Sequence, residues 1–492
     1  MKPLTIITTY NCEPHFEKAL LSLTTSEFIE EVLIVCPETI DIKIPKCRIL
    51  TGGALQSQKV LSQIINEAKT RYLLFLTGAR QITIEPGALE KLVVAARATK
   101  AGIVFSDFYD EGGQGRALHP LSGYQLGSVR DDFDFGSVMV FSTEAVRAAL
   151  LKYGATPSVD YAGIYDLRLK ISIDYPIHHL SEPLYSVIYP VEASSDSHLF
   201  AYVDPRNTGV QKEMEIVFTD YLKKIGAYLP PDELKQAEQS RESFPVEASV
   251  VIPVRNRCGT IADAVESALS QEADFPFNVI VVDNHSTDGT SDILYDLASK
   301  HPSLKYIVPE RTDLGIGGCW NEAINSKFCG RYAVQLDSDD LYGSQKTLRR
   351  IVDKLRDGKY AMVIGSYTIV NSKLEKIMPG LIDHREWSDE NGHNNALRIN
   401  GLGAPRAFDT SVIRKVGFLN VSYGEDYAAA LRICREHRIG RIYDSLYLAR
   451  RWEENTDAGL TIGETNRNNL FKDKIRTEEI IARRKINKGV NT

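Results

Sequence analysis

The feature that most constrains the fold of this chain is a series of segments that occurs twice, about 250 residues apart. In each copy an apolar run of strand length leads into an asparagine, which is Asn11 in the first copy and Asn256 in the second. Later segments repeat in the same order, and Tyr72-Leu-Leu-Phe-Leu is matched by Tyr332-Ala-Val-Gln-Leu. Because the offset stays within a narrow band over many segments, chance similarity is a poor explanation. The sequence predicts a tandem duplication of one fold.

Within each copy, β-branched runs of strand length alternate with longer amphipathic stretches, which is the pattern of β-α-β units. We therefore predict an α/β fold with mostly parallel sheets in both halves. The polar, proline-bounded stretch 230–245 is the predicted linker, and we expect a short helix in it. This divides the chain into a first domain at 1–229, a second at 246–463 and a basic helical tail at 464–492. We expect the tail to be solvated; contact with a membrane surface or with a partner is the alternative.

Composition excludes several classes of protein. The 492 residues are 43% apolar and 25% charged, which suits a globular chain rather than a disordered one. A net charge of −7 lacks the broad basic field that binds nucleic acid phosphates. The 7 cysteines are scattered without a Cys-x-x-Cys pair, which argues against a disulfide framework and a zinc site. No apolar run reaches the ~18 residues of a membrane span. We expect a cytoplasmic protein without a transmembrane segment.

Three carboxylates, Asp337, Asp339 and Asp340, directly follow an apolar strand in the second copy. The carboxyl end of a strand is where open α/β sheets usually hold ligands. Crowding three like charges is costly, and a hard divalent cation such as Mn²⁺ or Mg²⁺ would relieve the repulsion while bridging the phosphates of a substrate. The alternative is an acidic turn in which Asp340 caps the next helix.

In the order of its motifs, the second copy resembles the family 2 glycosyltransferases, whose catalytic domain has the nucleotide-sugar-binding, Rossmann-like fold called GT-A. The resemblance covers Ala248 to about Ile462. The five segments that carry it are Pro253-Val-Arg-Asn256, Val282 to Gly289, Asp313 to Asn321, Asp337-Ser-Asp339 and Gly424-Glu-Asp426. Five motifs in the order of the family are far more specific than any one alone. The fold class implied is two tandem GT-A domains.

The resemblance implies a nucleotide-diphosphate sugar as donor, a glycan or other hydroxyl compound as acceptor, and Mn²⁺ or Mg²⁺ as cofactor. It makes Asp339 the direct metal ligand, with Asp337 contacting both metal and ribose and Asp340 as an auxiliary acid. The residues that it assigns to the nucleotide are Pro253, Val254, Asn256, Asp283, Asp313 and Asp337. Asp283 would read the base; an Asx turn that starts the following loop is the alternative, and both can hold together.

A hydroxyl must lose a proton as it attacks, so a carboxylate within reach serves as general base. The resemblance gives this role to Asp426, with Glu425 as the alternative or as the group that orients the acceptor. A single displacement of this kind inverts the anomeric centre. The other interpretation is that both acids only favour the start of a helix.

Three further positions are assigned to the diphosphate and the acceptor. The segment from Leu448 resembles the Gln-x-x-Arg-Trp segment of processive synthases, in which Arg451 would neutralise the diphosphate and Trp452 would stack on a sugar. Leu448 replaces the glutamine, which argues against a processive, polymer-extruding synthase. Gly403 would let the backbone approach a sugar, and its alternative is a plain turn. For His393, a surface loop and an acceptor contact are both open.

The first copy lacks most of these acids. Thr77 to Arg80 stands where the second copy has Asp337 to Asp340, and Cys36 takes the place of Asp283. Of the later acidic pair, only Asp426 has an acidic counterpart, Asp166, whereas Tyr165 takes the place of Glu425. We predict a degenerate, non-catalytic GT-A-like domain that positions the acceptor, mediates self-association or stabilises its neighbour.

Three functions are compatible with these patterns. The first is a metal-dependent inverting glycosyltransferase with its chemistry in residues 246–463, acting in glycan or surface polysaccharide synthesis. The second is a non-catalytic carbohydrate-binding or scaffold protein. The third is a nucleotidyltransferase that makes sugar nucleotides, which needs a glycine-rich loop after the first strand. The loop Pro253 to Gly259 has a single glycine, so this third function ranks lowest.

Overall fold

The structure of the protein is a computed structural model, and it describes residues 2–38, 40, 42–78, 81–112, 115–188, 207–238, 242–385, 387–451 and 459–489. The described chain forms two compact units. The first unit contains the described residues before 189 together with 207–228 and 461–489, and the second contains those between 229 and 460.

The first unit is built around a mostly parallel sheet. Its elements in chain order are β1 (Leu4–Thr9), α1 (Pro14–Thr24), β2 (Ile29–Cys36), β3 (Cys47–Thr51), α2 (Gln58–Glu67), β4 (Tyr72–Leu76), β5 (Gln81–Ile84), α3 (Ala88–Thr99), β6 (Ile103–Ser106), β7 (Phe108–Gly112), β8 (Gly115–His119), β9 (Val138–Ser142), α4 (Thr143–Tyr153), α5 (Gly163–Asp174), β10 (Ile177–Leu180), β11 (Tyr185–Ile188) and α6 (Thr208–Lys224). The central sheet has the order β10-β6-β9-β4-β1-β2-β3, in which β9 alone is antiparallel to its neighbours. A smaller sheet has the order β5-β11-β7-β8.

The second unit repeats this plan. Its elements are β12 (Ala248–Val254), α7 (Ile261–Leu269), β13 (Phe277–Asp283), α8 (Thr290–Lys300), β14 (Leu304–Ile307), α9 (Ile316–Asn325), β15 (Tyr332–Gln335), β16 (Leu341–Tyr342), α10 (Thr347–Gly358), β17 (Met362–Val370), β18 (Lys376–Ile382), α11 (Gly392–Asn395), β19 (Arg406–Asp409), α12 (Thr410–Val416), α13 (Glu425–Cys434) and β20 (Ile439–Arg450). The last helix of the chain, α14 (Ile462–Asn487), belongs to the first unit.

The strand order of the central sheet in the first unit recurs in the second unit. The sheet of the second unit runs β14-β13-β12-β15-β19-β17-β20-β16, with β18 paired to β17. Its first seven strands correspond one for one to β3-β2-β1-β4-β9-β6-β10, and in both units only the fifth strand of this series is antiparallel to its neighbours. The predicted fold class, α/β in two tandem domains with mostly parallel sheets, is confirmed.

The central strands form because their apolar runs can be buried on both faces. In β12 and β13 nearly every side chain is buried, including the Val279–Val282 run and Val250–Ile252. Helices on both faces of a parallel sheet exclude water from such strands, which is why they contain continuous β-branched sequence rather than alternating polar residues. The helices that cover this core include α7, whose buried Ile261, Ala264 and Val265 lie on one face.

The linker does not contain the expected helix in its described part. It has a three-residue 3-10 turn at Pro231–Glu233, and Lys235 then forms a parallel bridge with His437. The backbone N–H of Lys235 donates to the carbonyl of Glu436 at 2.8 Å, and that of Ala237 donates to Lys359 at 2.7 Å. Backbone groups that are satisfied by neighbouring strands and turns gain nothing from a helix, so this stretch stays extended along the second unit.

The expectation of a solvated tail is wrong. In α14 the side chains of Asp473, Arg476 and Arg483 are fully buried within the first unit. The Asp473 carboxylate accepts hydrogen bonds from Ser128 Oγ at 2.8 Å, from Arg130 Nε at 3.3 Å and from Arg476 Nη1 at 2.8 Å. The buried charge of Asp473 is therefore neutralised by protein partners rather than by water, which is what permits its burial.

We predict that Asp473→Ala lowers the free energy of unfolding by about 3–5 kcal/mol, since it leaves two arginines buried without their shared anion. Urea unfolding followed by far-UV circular dichroism measures this change. Arg467→Ala on the same helix is the control, because Arg467 is 73% exposed and its loss should cost less than about 0.5 kcal/mol. Equal, small effects of the two variants would contradict the prediction.

Candidate active site

The candidate site lies where three parallel strands end at one edge of the second sheet. β13 pairs with β12 so that Asp283 lies opposite Val254, and β15 pairs with the other side of β12. The polypeptide leaves β15 at Gln335 and reaches Asp337 two residues later. The strand ends therefore place Asp283, the Pro253–Val254 pair and Asp337 along one edge, which is the ligand-binding edge of open α/β sheets.

Asp283 is a fully buried carboxylate that is held by three donors. Oδ1 accepts from the backbone N–H of Ser286 at 3.0 Å, and Oδ2 accepts from Ser291 Oγ at 2.5 Å and from Tyr306 Oη at 3.0 Å. Burial opposes the charge, but these hydrogen bonds outweigh it and lower the pKa of Asp283. Asp283 is thus an ionised acceptor with a fixed orientation, and the bond to Ser286 is the Asx-type contact that the sequence left open.

The loop that follows β13 is tied to the end of β12 through Asn256. The Asn256 side-chain oxygen accepts from the backbone N–H of Thr287 at 2.8 Å. The backbone N–H of Asn256 donates to Ser286 Oγ at 2.9 Å. Asn256 has a φ of 54°, a conformation that asparagine adopts more readily than most residues. The carboxylate of Asp313, unlike that of the buried Asp283, is exposed, and it pairs with Arg311 at 2.7 Å.

The three aspartates after β15 form a tight turn rather than a helix cap. The backbone N–H of Asp340 donates to the carbonyl of Asp337 at 3.2 Å, and the next element is the short strand β16. The helix α10 begins only at Thr347, so the capping interpretation of Asp340 is wrong. The buried Asp340 carboxylate instead accepts from the backbone N–H of Arg450 at 2.8 Å.

The carboxylates of this turn repel one another. Burial and the charge of Asp337 raise the pKa of Asp339, and Arg257, whose Nε lies 3.7 Å from Asp339 Oδ2, only partly opposes this. Burial and the charges of Asp337 and Asp339 raise the pKa of Asp340 well above its usual value. Within the described ranges, no group of three or more histidine, cysteine, aspartate or glutamate side chains is arranged to hold a metal.

Arg450 is a residue of this site that the sequence did not single out. Its side chain is buried, its Nε donates to the backbone carbonyl of Asp339, and its Nη1 lies 3.0 Å from Asp263 Oδ2. The backbone N–H of its neighbour Arg451 donates to Val370 at 2.8 Å. β20 ends at Arg450, so Arg451 is the first residue beyond this strand. Trp452 lies outside the described residues.

The two acids assigned to proton transfer begin helix α13. Glu425 is 8% exposed, and its Oε2 has no hydrogen-bond partner in the described part of the chain. Burial and the charge of Asp426 raise the pKa of Glu425 to about 8. The side chain of Asp426 is 29% exposed and forms an ion pair with Arg406. Two adjacent acids therefore lie in different environments.

Close packing holds the start of α13 against helix α9. A Cβ on Gly317 would lie 1.9 Å from the carbonyl oxygen of Leu419 and 2.9 Å from Glu425 Cβ, so only glycine permits this approach. Farther along α13, the Tyr427 hydroxyl donates to the carbonyl of Ala396 at 2.7 Å. The acidic pair thus has a fixed backbone position.

The structure gives definite positions to Gly403 and His393, whose roles the sequence left open, and to Trp320. Gly403 has a φ of 98°, and a Cβ there would lie 2.9 Å from the ring of His384, so glycine is required for backbone reasons. Trp320 is buried, with its ring centroid 5.2 Å from that of Phe418, and is a core residue. His393 is buried in α11, and its Nε2 lies 2.7 Å from the carbonyl of Leu229, so the surface-loop interpretation is wrong.

The first unit carries different residues at the equivalent strand ends. β2 ends at the buried Cys36, and Thr77 follows β4. Asp166 is buried in α5 and lies 2.8 Å from Lys170 Nζ. Arg80 lies outside the described residues.

No helix in the described part of the chain is both long and apolar enough to cross a lipid bilayer.

The acidic strand edge lies in the same part of the second unit as the family motifs noted from the sequence. Residues 249–418 match the model of glycosyl transferase family 2. This match lies within the second unit, and it confirms for those residues the resemblance noted from the sequence.

Curated relatives match only part of this chain. The succinoglycan biosynthesis protein ExoA of Rhizobium meliloti is 26% identical over 190 residues, which are 35% of this chain and 56% of that protein. The chondroitin synthase of Escherichia coli is 39% identical over 93 residues, which are 19% of this chain and 13% of that protein. The chain thus spans about half, or much less, of the relatives that it matches.

Solved structures show more distant likeness. TarS 1-349 of S. aureus in complex with UDP-GlcNAc has 22% identity and a TM-score of 0.37, covering 49% of this chain and 73% of that one. The mannosyltransferase PcManGT of Pyrobaculum calidifontis, in complex with GDP-Man and Mn²⁺, has 17% identity and a TM-score of 0.35, covering 57% of this chain and 85% of that one.

We predict that Glu425→Gln stabilises the protein, and more so at high pH. The pKa of Glu425 is about 8 in the folded protein against 4.5 for the free side chain, so the folded state binds more protons between these values. Stability therefore falls as pH rises through this range, and the glutamine variant removes that loss. Urea unfolding at about pH 5 and about pH 8.5 measures the difference.

The exposed Glu266→Gln on α7 is the matched control, for which we expect no pH-dependent gain. A gain for Glu425→Gln that is the same at both pH values would refute the burial of an ionisable carboxyl as its cause.

Proposed function

We propose that the protein is a metal-dependent, inverting glycosyltransferase that moves a sugar from a nucleotide-diphosphate donor to a hydroxyl group of a glycan or another acceptor. Its chemistry is confined to residues 246–463. The observation that carries the proposal is the edge of the second sheet, where Asp283, Asp337 and Asp339 lie within a family 2 glycosyltransferase domain.

Donor recognition rests on the ionised Asp283. A carboxylate that is already oriented by Ser286, Ser291 and Tyr306 can accept a hydrogen bond from a nucleobase N–H with little reorganisation. The backbone at Pro253 and Val254 lies beside it at the end of β12. Asn256 holds the loop that closes this side, and we assign Asp313 to the nucleotide because it begins the third of the five segments that resemble the family.

Asp337 and Asp339 are the proposed ligands of Mn²⁺ or Mg²⁺. Such ions are commonly held by one or two protein carboxylates and by the phosphates of the substrate, so a pair of protein ligands is sufficient. The mutual repulsion that raises the pKa of Asp339 is the repulsion that a cation would relieve. When bound, the ion would neutralise charge that develops on the leaving diphosphate. Asp340 is already engaged by the backbone of Arg450.

Asp426 is the proposed general base. Its side chain is more exposed than that of Glu425 and pairs with Arg406, which favours the ionised form that can accept a proton from a hydroxyl. With a pKa of about 8, Glu425 is mostly protonated at neutral pH and is the weaker candidate; we assign it to orienting the acceptor. Attack by one hydroxyl in a single displacement inverts the anomeric centre.

The proposed diphosphate and acceptor side of the site also includes Arg451, Trp452 and Gly403. The first unit is proposed to be non-catalytic, because Cys36 and Thr77 stand at its equivalent strand ends. Its role would be to position the acceptor, to mediate self-association or to stabilise the second unit.

We expect a nucleotide sugar with Mn²⁺ or Mg²⁺ to raise the free energy of unfolding by about 2.7 kcal/mol at a hundredfold excess over its dissociation constant. A thermal-shift panel of UDP- and GDP-sugars measures this in wild type and in Asp339→Ala. The variant should lose the metal-dependent part of the stabilisation. Asp296→Ala, on the exposed face of α8, is the control and should keep it.

A transfer assay with the donor so identified then tests the reaction. Asp426→Asn should lower kcat by about 10²–10⁴ because the general base is lost, and NMR of the first product should show an inverted anomeric configuration. If no donor stabilised the protein and no sugar were transferred or hydrolysed, the proposed function would be wrong.

A further inference from the structure

Arg406 connects the two acidic groups of the site. It is the first residue of β19, and its guanidinium forms an ion pair with Asp426 Oδ2. Its backbone N–H donates to Gln335 Oε1 at 3.1 Å. Gln335 Nε2 in turn donates to Asp337 Oδ1 at 2.9 Å. A continuous series of polar contacts thus joins Asp426 to Asp337.

Arg406 is a largely buried cation that lies among several carboxylates. Its side chain is 17% exposed, so burial acts against its charge. The neighbouring carboxylates of Asp426, Asp337 and Glu425 nevertheless raise the pKa of Arg406. A cation in this position offsets repulsion among acids that the sheet edge brings together.

The members of this series are themselves immobilised. Gln335 is buried in β15, where both ends of its side-chain amide are engaged, and the backbone N–H of Asp337 donates to Tyr447 Oη at 2.9 Å. Asp426 lies in the first turn of α13, where its Oδ1 also accepts from the backbone N–H of Tyr427 at 2.7 Å. Because both ends are fixed to the fold, Arg406 can set the orientation of the Asp426 carboxylate.

We propose that Arg406 is a positioning residue that orients Asp426 for proton acceptance and couples it, through Gln335, to the donor side of the site. The inference rests on the proposed function, because it gives Asp426 the role of general base. A guanidinium at Oδ2 and a backbone N–H at Oδ1 together fix the plane of the Asp426 carboxylate, so an incoming hydroxyl meets it in a defined geometry. A displacement of a reacting group by about 1 Å can cost about 100-fold in rate, so such a contact matters for turnover.

The test compares wild type, Arg406→Gln, Arg406→Lys, Asp426→Asn and the double variant Arg406→Gln/Asp426→Asn. We expect Arg406→Gln to lower kcat by about 100-fold while the dissociation constant of the donor changes by less than about threefold. The donor is the nucleotide sugar of the UDP and GDP panel that stabilises the wild type most. Arg406→Lys keeps the cation and should recover at least about tenfold of the loss.

The double variant distinguishes positioning from an unrelated defect. If Arg406 acts through Asp426, the double variant should be no slower than Asp426→Asn alone, because residues that act as a unit are not additive. Arg350→Gln is the matched control, since Arg350 is an exposed arginine that pairs with Asp444 at 2.6 Å, and its kcat should equal that of wild type.

Three results would overturn the inference: multiplicative effects in the double variant, a change confined to donor binding, or an Arg406→Gln variant as fast as wild type. If Arg406→Gln did not fold, the cycle would be run with Arg406→Lys, for which the same non-additivity is expected. A wild type that transfers no sugar from any donor would refute the proposed function itself, whereas an active wild type with an unaffected Arg406→Gln would refute only the role of Arg406.

Discussion

The candidate site of the second unit depends on keeping several like charges together at one edge of a sheet. Asp337, Asp339 and Asp340 follow one strand, and the acidic pair of α13 starts with a buried glutamate. Burial and the charges of neighbouring carboxylates raise the pKa values of Asp339, Asp340 and Glu425. The chain places arginines beside these acids, and each contact is different. Arg257 approaches the Asp339 carboxylate, and Arg406 pairs with Asp426. The guanidinium of Arg450 donates to the backbone carbonyl of Asp339, and its backbone N–H donates to Asp340.

The scaffold under these charges does not require them. The first unit has the same strand order and directions but ends its second strand in a buried cysteine. Strand order follows from apolar strands that are buried on both faces and from helices that cover them, and these features are present in both copies. This explains why the duplication and the fold class could be predicted from periodicity and repeat alone. The residues at the strand ends can differ between the two copies without changing the strand order.

Parts of the site could also be predicted, because their signal is local. Asp283 and Asp337 directly follow apolar strands, so their place at the sheet edge needs only the strand pattern. Arg406 and Arg450 have no such signal, since their partners are distant in sequence: Arg450 binds Asp339 and Asp263, which lie 111 and 187 residues earlier. The burial of α14 could not be predicted for the same reason. The arginines of that helix look solvated until Ser128 and Arg130 are placed beside Asp473, about 345 residues away in sequence.

Glu425 and Asp426 show how environment can separate two neighbouring acids of similar chemistry. One is buried with an oxygen that lacks a hydrogen-bond partner in the described chain; the other is partly exposed and paired with an arginine. Burial favours the neutral form of Glu425, and the ion pair favours the charged form of Asp426. Pairs of acids whose environments push their pKa values apart are how a site obtains one protonated and one ionised group at the same pH. Holding Glu425 in this place reduces the stability of the folded protein at neutral pH, and a carboxyl group that served only the fold would gain by being exposed or paired. This cost fits the proposal that the pair serves the chemistry of the site rather than only the start of a helix.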